Sequence, residues 1–359
     1  MKDIVLCFSL GRSGGCLKYS KELIEHLSTS NNVKAFHNRF SKVEVPINSF
    51  GLWCYNGKVS FLLLSLFILP LYLLALLFYL IYNKSNVTVY FPYFHYWSVP
   101  IMMVSKMVGV KTVCTIHDGV LHAGDGKPLE QFLNRLYVKN ACKLVFLTDY
   151  VRKLVKDEIG YNCPVRVIPH GIIGNDHEFY QDCKFEKKSL LFFGRVSQYK
   201  GVENLLAAVK LIPTDYFETI YIVGKSQYQV DYELAVEYSH KLEVIDRFVD
   251  ESEVGDIFNR SSILVLPYVE ATQSGVAMLG VKSKTPMIIS NCGGLKEQLG
   301  NESALYYEPD DINALSECIM RLLNDRELYR SLRSSLIRKE SCLSWEYIAH
   351  CLEEFISEE

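Results

Sequence analysis

Residues 190–209 read LLFFGRVSQYKGVENLLAAV, and this stretch decides the fold class. The apolar run at 190–193 predicts a strand that is buried on both faces of a sheet. The apolar spacing at 202–211 predicts a helix directly after the intervening loop. A buried strand, a short loop and a helix form one half of a βαβ unit, which indicates a parallel α/β sheet.

The same alternation of strand and helix extends in both directions from this stretch. Apolar runs predict strands in the first half of the chain at 3–9, 33–36, 87–91, 111–116, 144–146 and 165–168. In the second half, strands are predicted at 190–193, 220–223, 244–248, 263–266 and 287–290, with helices at 202–211, 251–260, 276–283, 311–324 and 345–356.

A chain of 359 residues suggests two domains of this kind. We expect a Rossmann-like N-terminal domain over 1–172, a Rossmann-like donor domain over 173–340 and a C-terminal helix over 341–359. The helix is expected to pack back towards the N-terminal domain. Ligands bind beyond the carboxyl ends of parallel strands, so the predicted site is the cleft where the two domains face each other.

Charge and cysteine content exclude several functional classes. The chain has 38 basic and 41 acidic residues, so it lacks the basic excess that drives sequence-independent binding to nucleic acid. Its 11 cysteines form no CxxC pair and mostly lie in apolar runs, which is typical of reduced thiols in a cytosolic protein. The first residues predict a strand in place of a secretory signal. We therefore expect a cytoplasmic protein.

The loop at 194–201, GRVSQYKG, carries two cations between a strand and a helix. Arg195 and Lys200 would meet a bound anion near the N-terminus of that helix, where backbone N–H groups also favour negative charge. A leaving nucleotide diphosphate needs such compensation. By itself, the loop is equally compatible with two solvated cations, because short motifs match by chance.

A second loop at 267–277, PYVEATQSGVA, also follows a strand and begins a helix. Ser274 and Gly275 can offer backbone N–H groups to a phosphate. The carboxylate of Glu270 can accept hydrogen bonds from sugar hydroxyls. The alternative is an ordinary helix cap beside an incidental acid.

Two features of the first half are also candidates. His117 follows the strand at 111–116 and could form a metal pair with His122, although no third ligand is apparent and no DxD sequence occurs. Gly14 and Gly15 lie in the loop after the first strand, where the lack of a side chain permits close approach of a ligand.

The sequences GRVSQYKGVENLLAA and PYVEATQSGVAMLGVKSKTPMIISNCGGLKEQL resemble the donor-domain signatures of glycosyltransferase family four. That family contains retaining enzymes of the GT-B fold that use nucleotide sugars. The N-terminal SLGRSGGCLKYSKELIEHL and the IPHG at 168–171 are similar too, so the resemblance covers nearly the whole chain. It implies an α/β GT-B fold and a metal-independent, retaining glycosyltransferase.

The resemblance also implies roles for particular residues. Arg195 and Lys200 would hold the donor diphosphate, Glu270 would contact the transferred sugar, and His117 would face the reaction centre. Met278 stands where the family often has a second glutamate that holds the ribose, which favours a branch with a TQSGV element. Donor contacts are expected at Gly14, Gly15, Gly194, Gly224, Ser274 and Gly275.

Residues 59–82, VSFLLLSLFILPLYLLALLFYLIY, form an uncharged segment between Lys58 and Lys84. One helix of this length would measure about 36 Å, enough to cross a membrane. Crossing would separate the first strand from its sheet, and Pro70 disfavours a continuous helix. A re-entrant or interfacial segment is therefore expected, with a wholly buried helix pair as the alternative.

These observations predict a glycosyltransferase that moves a sugar from a nucleotide sugar to a polyprenyl-linked or other glycan acceptor. The expected setting is bacterial surface polysaccharide synthesis (O-antigen, capsule or exopolysaccharide), by a peripheral or monotopic protein at the inner face of the cell membrane. No cofactor or metal is expected. The alternatives are a catalytically silent GT-B partner in a polysaccharide-assembly complex and, less well supported, an epimerase or phosphorylase.

Overall fold

The computed structural model describes residues 4–30, 32–42, 49–118, 128–172, 179 and 184–358. Two compact units divide the chain. Unit 1 comprises Met1–Gly171 together with Trp345–Glu359, and unit 2 comprises Ile172–Ser344. The chain therefore leaves unit 1 after Gly171 and returns to it at Trp345.

Unit 1 is built on a parallel seven-stranded sheet with the order β3-β2-β1-β4-β5-β6-β7. Its strands are β1 (Ile4–Ser9), β2 (Asn32–Asn38), β3 (Ser49–Leu52), β4 (Val87–Phe91), β5 (Lys111–Ile116), β6 (Lys143–Phe146) and β7 (Val165–Val167). Its helices are α1 (Gly15–Ser30), α2 (Lys58–Phe67), α3 (Leu69–Asn83), α4 (Ser98–Val108), α5 (Pro128–Asn140), α6 (Asp149–Glu158) and α13 (Trp345–Ser357).

Helix α13 is an integral part of unit 1. Leu23 of α1 and Leu352 of α13 belong to the same buried apolar cluster, which also contains β1 residues. The buried Lys143 of β6 donates from Nζ to the carbonyl oxygen of Phe355 at 2.7 Å and to that of Glu358. A cation at the last carbonyls of a helix complements the negative end of its dipole, so Lys143 fixes the end of α13.

Unit 2 is built on a parallel six-stranded sheet with the order β10-β9-β8-β11-β12-β13. Its strands are β8 (Ser189–Phe193), β9 (Thr219–Val223), β10 (Leu242–Ile245), β11 (Ile263–Leu266), β12 (Met287–Ser290) and β13 (Ala304–Tyr307). Its helices are α7 (Val202–Val209), α8 (Glu251–Arg260), α9 (Gly275–Lys282), α10 (Leu295–Leu299), α11 (Ile312–Asn324) and α12 (Arg326–Ser341).

Both sheets have the strand order 3-2-1-4-5-6 of a doubly wound Rossmann fold, and unit 1 adds a seventh strand. The prediction of two Rossmann-like parallel sheets is therefore confirmed. In unit 2 the strand order reverses between β8 and β11, and these two strands are hydrogen-bonded neighbours. Ligands of doubly wound sheets bind beyond the carboxyl ends of the strands at this switch point.

The predicted strand at 244–248 is wrong in its bounds, because β10 ends at Ile245. The next residues make side-chain contacts in place of ladder hydrogen bonds. The carboxylate of Asp246 accepts from the N–H of Ser226 at 2.8 Å, and Arg247 pairs with Glu253. Phe248 is 78% exposed, so its apolar character did not indicate a buried strand position.

The uncharged segment forms α2 and α3, which meet at Ile68 with a bend of 47°. Pro70 lies in the first turn of α3, where a missing N–H costs no helical hydrogen bond. Within the described residues no single helix has the length and composition to cross a membrane, whereas the bent pair together has both.

The alternative of a wholly buried helix pair is wrong. No residue of α2 is buried, and in α3 only Leu69 and Leu80 are. One side of the pair packs on the core of unit 1 through residues such as Phe61, Leu64 and Leu73. The other side is at least half exposed at Val59, Leu62, Leu63, Leu66, Phe67, Leu71, Leu74, Phe78, Ile81 and Tyr82.

Candidate functional site

The two loops selected from the sequence lie at the switch point of unit 2. The loop at 194–201 leaves the carboxyl end of β8, and the loop at 267–274 leaves the carboxyl end of β11. Because β8 and β11 are parallel neighbours, both loops begin at the same edge of the sheet. The structure thus brings together Arg195, Lys200, Glu270, Ser274 and Gly275 at this edge.

Glycines allow the loops to approach each other closely. A Cβ atom on Gly224, which has φ +144°, would lie 1.8 Å from the carbonyl oxygen of Gly194. A Cβ on Gly201, with φ +64°, would lie 2.0 Å from the carbonyl oxygen of Pro267. Both contacts are with backbone that cannot move aside as a flexible side chain can. Only glycine fits these two positions.

Lys200 is a buried cation at the centre of this arrangement. Its side chain is 8% exposed, and Nζ donates to the hydroxyl of Tyr268 at 2.9 Å. The same Nζ lies 4.5 Å from the centre of the Tyr268 ring. Among the described residues, the structure pairs Lys200 with no carboxylate. A buried ammonium group without a negative partner is unfavourable, and a bound anion would supply the missing negative charge.

Tyr268 connects Lys200 to the start of α9. Its hydroxyl lies 3.4 Å from Oγ of Ser274, and that Oγ accepts from the N–H of Ala277 as the cap of α9. Gly275 is the first residue of the helix. The positive end of the α9 dipole and the Lys200 ammonium therefore act on one region, as required for an anion site.

Gln298 holds the backbone at Ser274. Its Oε1 accepts from the N–H of Ser274 at 2.9 Å, and its Nε2 donates to the carbonyl oxygen of Ser274 at 3.1 Å. Gln298 is 24 residues from Ser274 in sequence and lies on α10, so no local pattern identified it. Tyr268 lies in the loop at 267–277, but the sequence did not indicate its contact with Lys200.

Two further polar atoms of the motifs are buried without a hydrogen-bond partner among the described residues. They are Oγ of Ser197 in the first loop and Oε1 of Gln273 in the second. Buried polar atoms are normally hydrogen-bonded, so unsatisfied ones at the same sheet edge indicate groups that a ligand can engage. Their residue types were visible in the sequence, but their burial was not.

The remaining donor-side residues differ in exposure. Arg195 is exposed, and its Nη2 lies 3.5 Å from the hydroxyl of Tyr199, so this cation is held less firmly than Lys200. Glu270 is also exposed. Met278, at the position of the family's second glutamate, is fully buried in the core of unit 2.

His117 lies at the carboxyl end of β5 in unit 1. Its Nε2 donates to the carbonyl oxygen of Pro92 at 2.9 Å, so in the neutral ring Nδ1 carries no proton. Burial lowers the pKa of His117, so the ring is neutral, although the Asp118 carboxylate opposes this shift. The ring packs edge-on against Tyr19 at a centroid distance of 4.6 Å.

His122 lies outside the described residues, so its pairing with His117 stays a prediction. Within the described ranges, no three His, Cys, Asp or Glu side chains form a group that could hold a metal ion. Gly14 precedes α1 and Gly15 is its first residue, at the carboxyl end of β1. Both are exposed, and a Cβ on either would meet no atom within 4 Å.

Three buried histidines of unit 1 make its stability depend on pH. Burial lowers the pKa of His95 to about 3 and that of His170 to about 4, and it also lowers the pKa of His117. The unfolded chain binds these protons near pH 6.5 while the native unit does not, so stability is complete above pH 6.5 and falls below it. We expect about 1.4 kcal/mol lost per pH unit for each of His95 and His170 between pH 6.5 and about 4.5, and a loss in the same direction from His117.

Urea unfolding at several pH values measures this slope. The variant His95→Gln is expected to reduce it, and His350→Gln is the control because His350 is exposed in an ion pair with Glu354. An unchanged slope in His95→Gln would contradict the assignment of His95 as a buried neutral ring.

Comparison with known proteins agrees with this geometry. Residues 187–325, which carry both loops, match the family model described as glycosyl transferases group 1. An uncharacterized glycosyltransferase of Methanocaldococcus jannaschii is 26% identical over 232 residues, which are 58% of this chain and 57% of that protein. A glycogen synthase of Mycobacterium tuberculosis is 29% identical over 166 residues, 45% of this chain and 40% of that protein. The chain spans about half the length of these relatives.

Solved structures show the fold over the whole chain. Sucrose-phosphate synthase from Thermosynechococcus elongatus has a TM-score of 0.75 at 20% identity and covers 99% of this chain and 98% of its own. Anabaena HepE in complex with UDP has a TM-score of 0.73 at 14% identity, with 99% of both chains covered. The chain therefore has the α/β GT-B fold, which confirms the predicted fold class.

Proposed function

We propose that the protein is a retaining glycosyltransferase that takes its sugar from a nucleotide-diphosphate donor bound at the switch point of unit 2. The observation that carries this proposal is Lys200, a buried cation without a carboxylate partner among the described residues, linked through Tyr268 to the start of α9. The family match over 187–325 and the UDP bound by Anabaena HepE support the nature of the donor.

The chemistry follows from where negative charge develops. As the bond between the sugar and the diphosphate breaks, charge builds up on the leaving phosphate oxygens. Lys200, Arg195 and the N-terminus of α9 stabilise that charge, so no metal ion is needed at this step. Glu270 accepts hydrogen bonds from the sugar. The acceptor hydroxyl oxygen bonds to the anomeric carbon from the side that the diphosphate leaves, its proton passes to the leaving phosphate oxygen, and no side chain acts as nucleophile.

The proposed acceptor is a polyprenyl-linked glycan, and the proposed setting is bacterial surface polysaccharide synthesis at the inner face of the cell membrane. The support lies in α2 and α3, which expose ten large apolar side chains on one side. A helix that is apolar all round is typical of a buried or lipid-embedded helix. Lys58 begins α2 and can lie among lipid headgroups.

The decisive experiment has two steps. Thermal unfolding with a panel of nucleoside diphosphates identifies the base, since a ligand at 100 times its Kd stabilises the fold by about 2.7 kcal/mol. Transfer from the matching nucleotide sugar is then followed by NMR with and without EDTA. We expect activity to survive EDTA and the product to keep the donor's anomeric configuration. A strict requirement for manganese, or an inverted product, would contradict the mechanism.

The alternative, a catalytically silent partner in an assembly complex, rests on Met278. Met278 carries no carboxylate, so the resemblance supplies no ribose contact at this position. A protein that binds a nucleotide but transfers no sugar to any acceptor in the panel would favour this alternative.

A further inference from the structure

A cavity of about 370 Å³ lies inside unit 1, between α3 and the edge of the sheet formed by β1, β2 and β3. Its walls are almost entirely apolar, and Lys34 is the one charged residue among those that line it. It is partly open to solvent, and apolar clefts of roughly 300–1,000 Å³ are the usual binding sites of small ligands. Its lining residues all belong to unit 1, whereas the loops at 194–201 and 267–274 belong to unit 2.

The floor of the cavity is a row of stacked phenylalanines across three strands. Phe8, Phe36 and Phe50 lie in register on β1, β2 and β3. The ring centres are 4.8 Å apart between Phe8 and Phe36, and 5.5 Å apart between Phe36 and Phe50. Phe8 is buried, whereas Phe50 on the edge strand is 54% exposed. The floor therefore runs from the core of unit 1 to an open edge.

The roof of the cavity is α3, and polar contacts mark both ends of the space beneath it. At the carboxyl end of the strands, the hydroxyl of Tyr72 accepts from the N–H of Trp53, which follows β3. At the other end, Nζ of Lys34 donates to the hydroxyl of Tyr79 at 3.3 Å. Tyr72, Tyr79 and Lys34 all line the cavity, which makes it a slot along the strands.

Cations lie at the carboxyl end of this slot. The Arg39 guanidinium lies 4.7 Å from the ring centre of Trp53, and that of Arg12 lies 5.9 Å from the ring centre of Tyr55. Within the described residues, neither guanidinium forms an ion pair with a carboxylate, and that of Arg12 donates to the carbonyl oxygens of Phe40 and Asn56. The edge at which β1 and β2 end thus carries positive charge beside an apolar slot.

Size and charge together select one class of ligand. An apolar cavity of about 150 Å³ accommodates benzene, so by proportion 370 Å³ accommodates a chain of roughly fifteen carbons. Arg39 and Arg12 at the end of the slot complement a phosphate group. A hydrocarbon chain that carries a terminal phosphate meets both requirements. The outer side of α3 exposes apolar residues, and such a chain can pass along them from a membrane into the slot.

We propose that this slot binds the first part of the hydrocarbon tail of the lipid-linked acceptor, with its phosphate at Arg39 and Arg12. The inference rests on the proposed function for the identity of the lipid. The inference adds a specific site to the proposed function. In this site α3 is the roof of a slot that binds the lipid tail, as well as an exposed apolar surface. Tail binding needs no donor, so it can be measured without sugar transfer.

The test is calorimetric binding of farnesyl phosphate, which has a fifteen-carbon chain, with inorganic phosphate as the arm without a tail. Ala75→Trp places a large ring in the slot, because Ala75 lines it and is itself exposed. The matched control is Leu74→Trp, because Leu74 is the adjacent residue on α3, is 51% exposed and does not line the slot.

We expect wild type and Leu74→Trp to bind farnesyl phosphate equally, and Ala75→Trp to bind it at least tenfold more weakly. Phe50→Ala, at the exposed edge of the floor, is a second variant that should weaken binding without unfolding unit 1. Arg39→Gln should weaken binding of farnesyl phosphate but not of farnesol. Equal binding by Ala75→Trp and wild type, or equal binding of inorganic phosphate and farnesyl phosphate, would overturn the proposal. Failure of sugar transfer with intact tail binding would overturn the proposed function alone.

Discussion

Lys200→Met is expected to lower kcat/KM for sugar transfer by roughly 10²–10³, the effect of removing one preorganised group that stabilises developing charge. Lys200 is fixed in place by Tyr268 and is buried, so its charge acts in surroundings where water screens it little. Methionine keeps the length of the side chain and removes the ammonium. Initial rates across a range of donor concentrations separate the effect on kcat from that on KM.

Lys210→Met is the matched control, because Lys210 is an exposed lysine at the end of α7 in the same unit. Arg195→Ala is expected to have a smaller effect than Lys200→Met, since Arg195 is exposed and held only through Tyr199. If Lys200 merely packs against Tyr268, Lys200→Met will lower the melting temperature and leave kcat near normal. That outcome would remove Lys200 from the catalytic machinery.

Gly224→Ala is expected to destabilise unit 2 by more than about 4 kcal/mol, a loss reserved for severe steric or strain effects. The new methyl group would lie 1.8 Å from the carbonyl oxygen of Gly194, in a backbone conformation with φ +144°. Relief of this overlap would separate β8 from the loop after β9 and displace Arg195. Urea unfolding, followed by a signal from unit 2, measures the loss.

Gly300→Ala distinguishes the two causes. Gly300 also has a positive φ, +81°, but a Cβ there would meet no atom within 4 Å. It should therefore show only the conformational cost, of about 1–3 kcal/mol. Equal losses in Gly224→Ala and Gly300→Ala would mean that the contact with Gly194 has no structural importance.

The sequence was sufficient to predict most strands of both sheets, because buried parallel strands are continuous apolar runs, but β3 and β13 were not predicted. It failed for elements in which composition and burial disagree. β3 is a four-residue edge strand, SFGL, with a glycine and an exposed phenylalanine, so it carried no strand pattern. The predicted extension of the strand to residue 248 included the apolar Phe248, which the structure does not place in the ladder.

The site could be predicted in part for a comparable reason. The strand prediction placed five candidate residues at one sheet edge, because they lie in loops next to strands or at the start of the helix that follows. They are Arg195, Lys200, Glu270, Ser274 and Gly275. The sequence contained no signal for the contact between Gln298 and Ser274, because it joins α10 to the loop after β11 across 24 residues. Their hydrogen bonds depend on the packing of whole elements, which local patterns do not encode.

The sequence also could not predict which side of the uncharged segment is buried. Its composition indicated that the segment faces lipid or the core. Because nearly all of its residues are apolar, no periodicity separates a buried side from an exposed side. The structure assigns one side of α2 and α3 to the core of unit 1 and leaves the other exposed. It also places the cavity beneath α3, which depends on the position of Phe50 on a strand that the sequence did not reveal.

Because the chain returns to unit 1 at Trp345, it determines the order in which the two units can complete their folds. Domains generally fold as units during synthesis, with the N-terminal one first. Here α13 follows unit 2 in the chain, so the side of α1 that contains Leu23 stays uncovered while unit 2 is translated. Unit 2, whose segments are continuous, completes its core first. Unit 1, although its synthesis begins first, therefore completes its fold after unit 2.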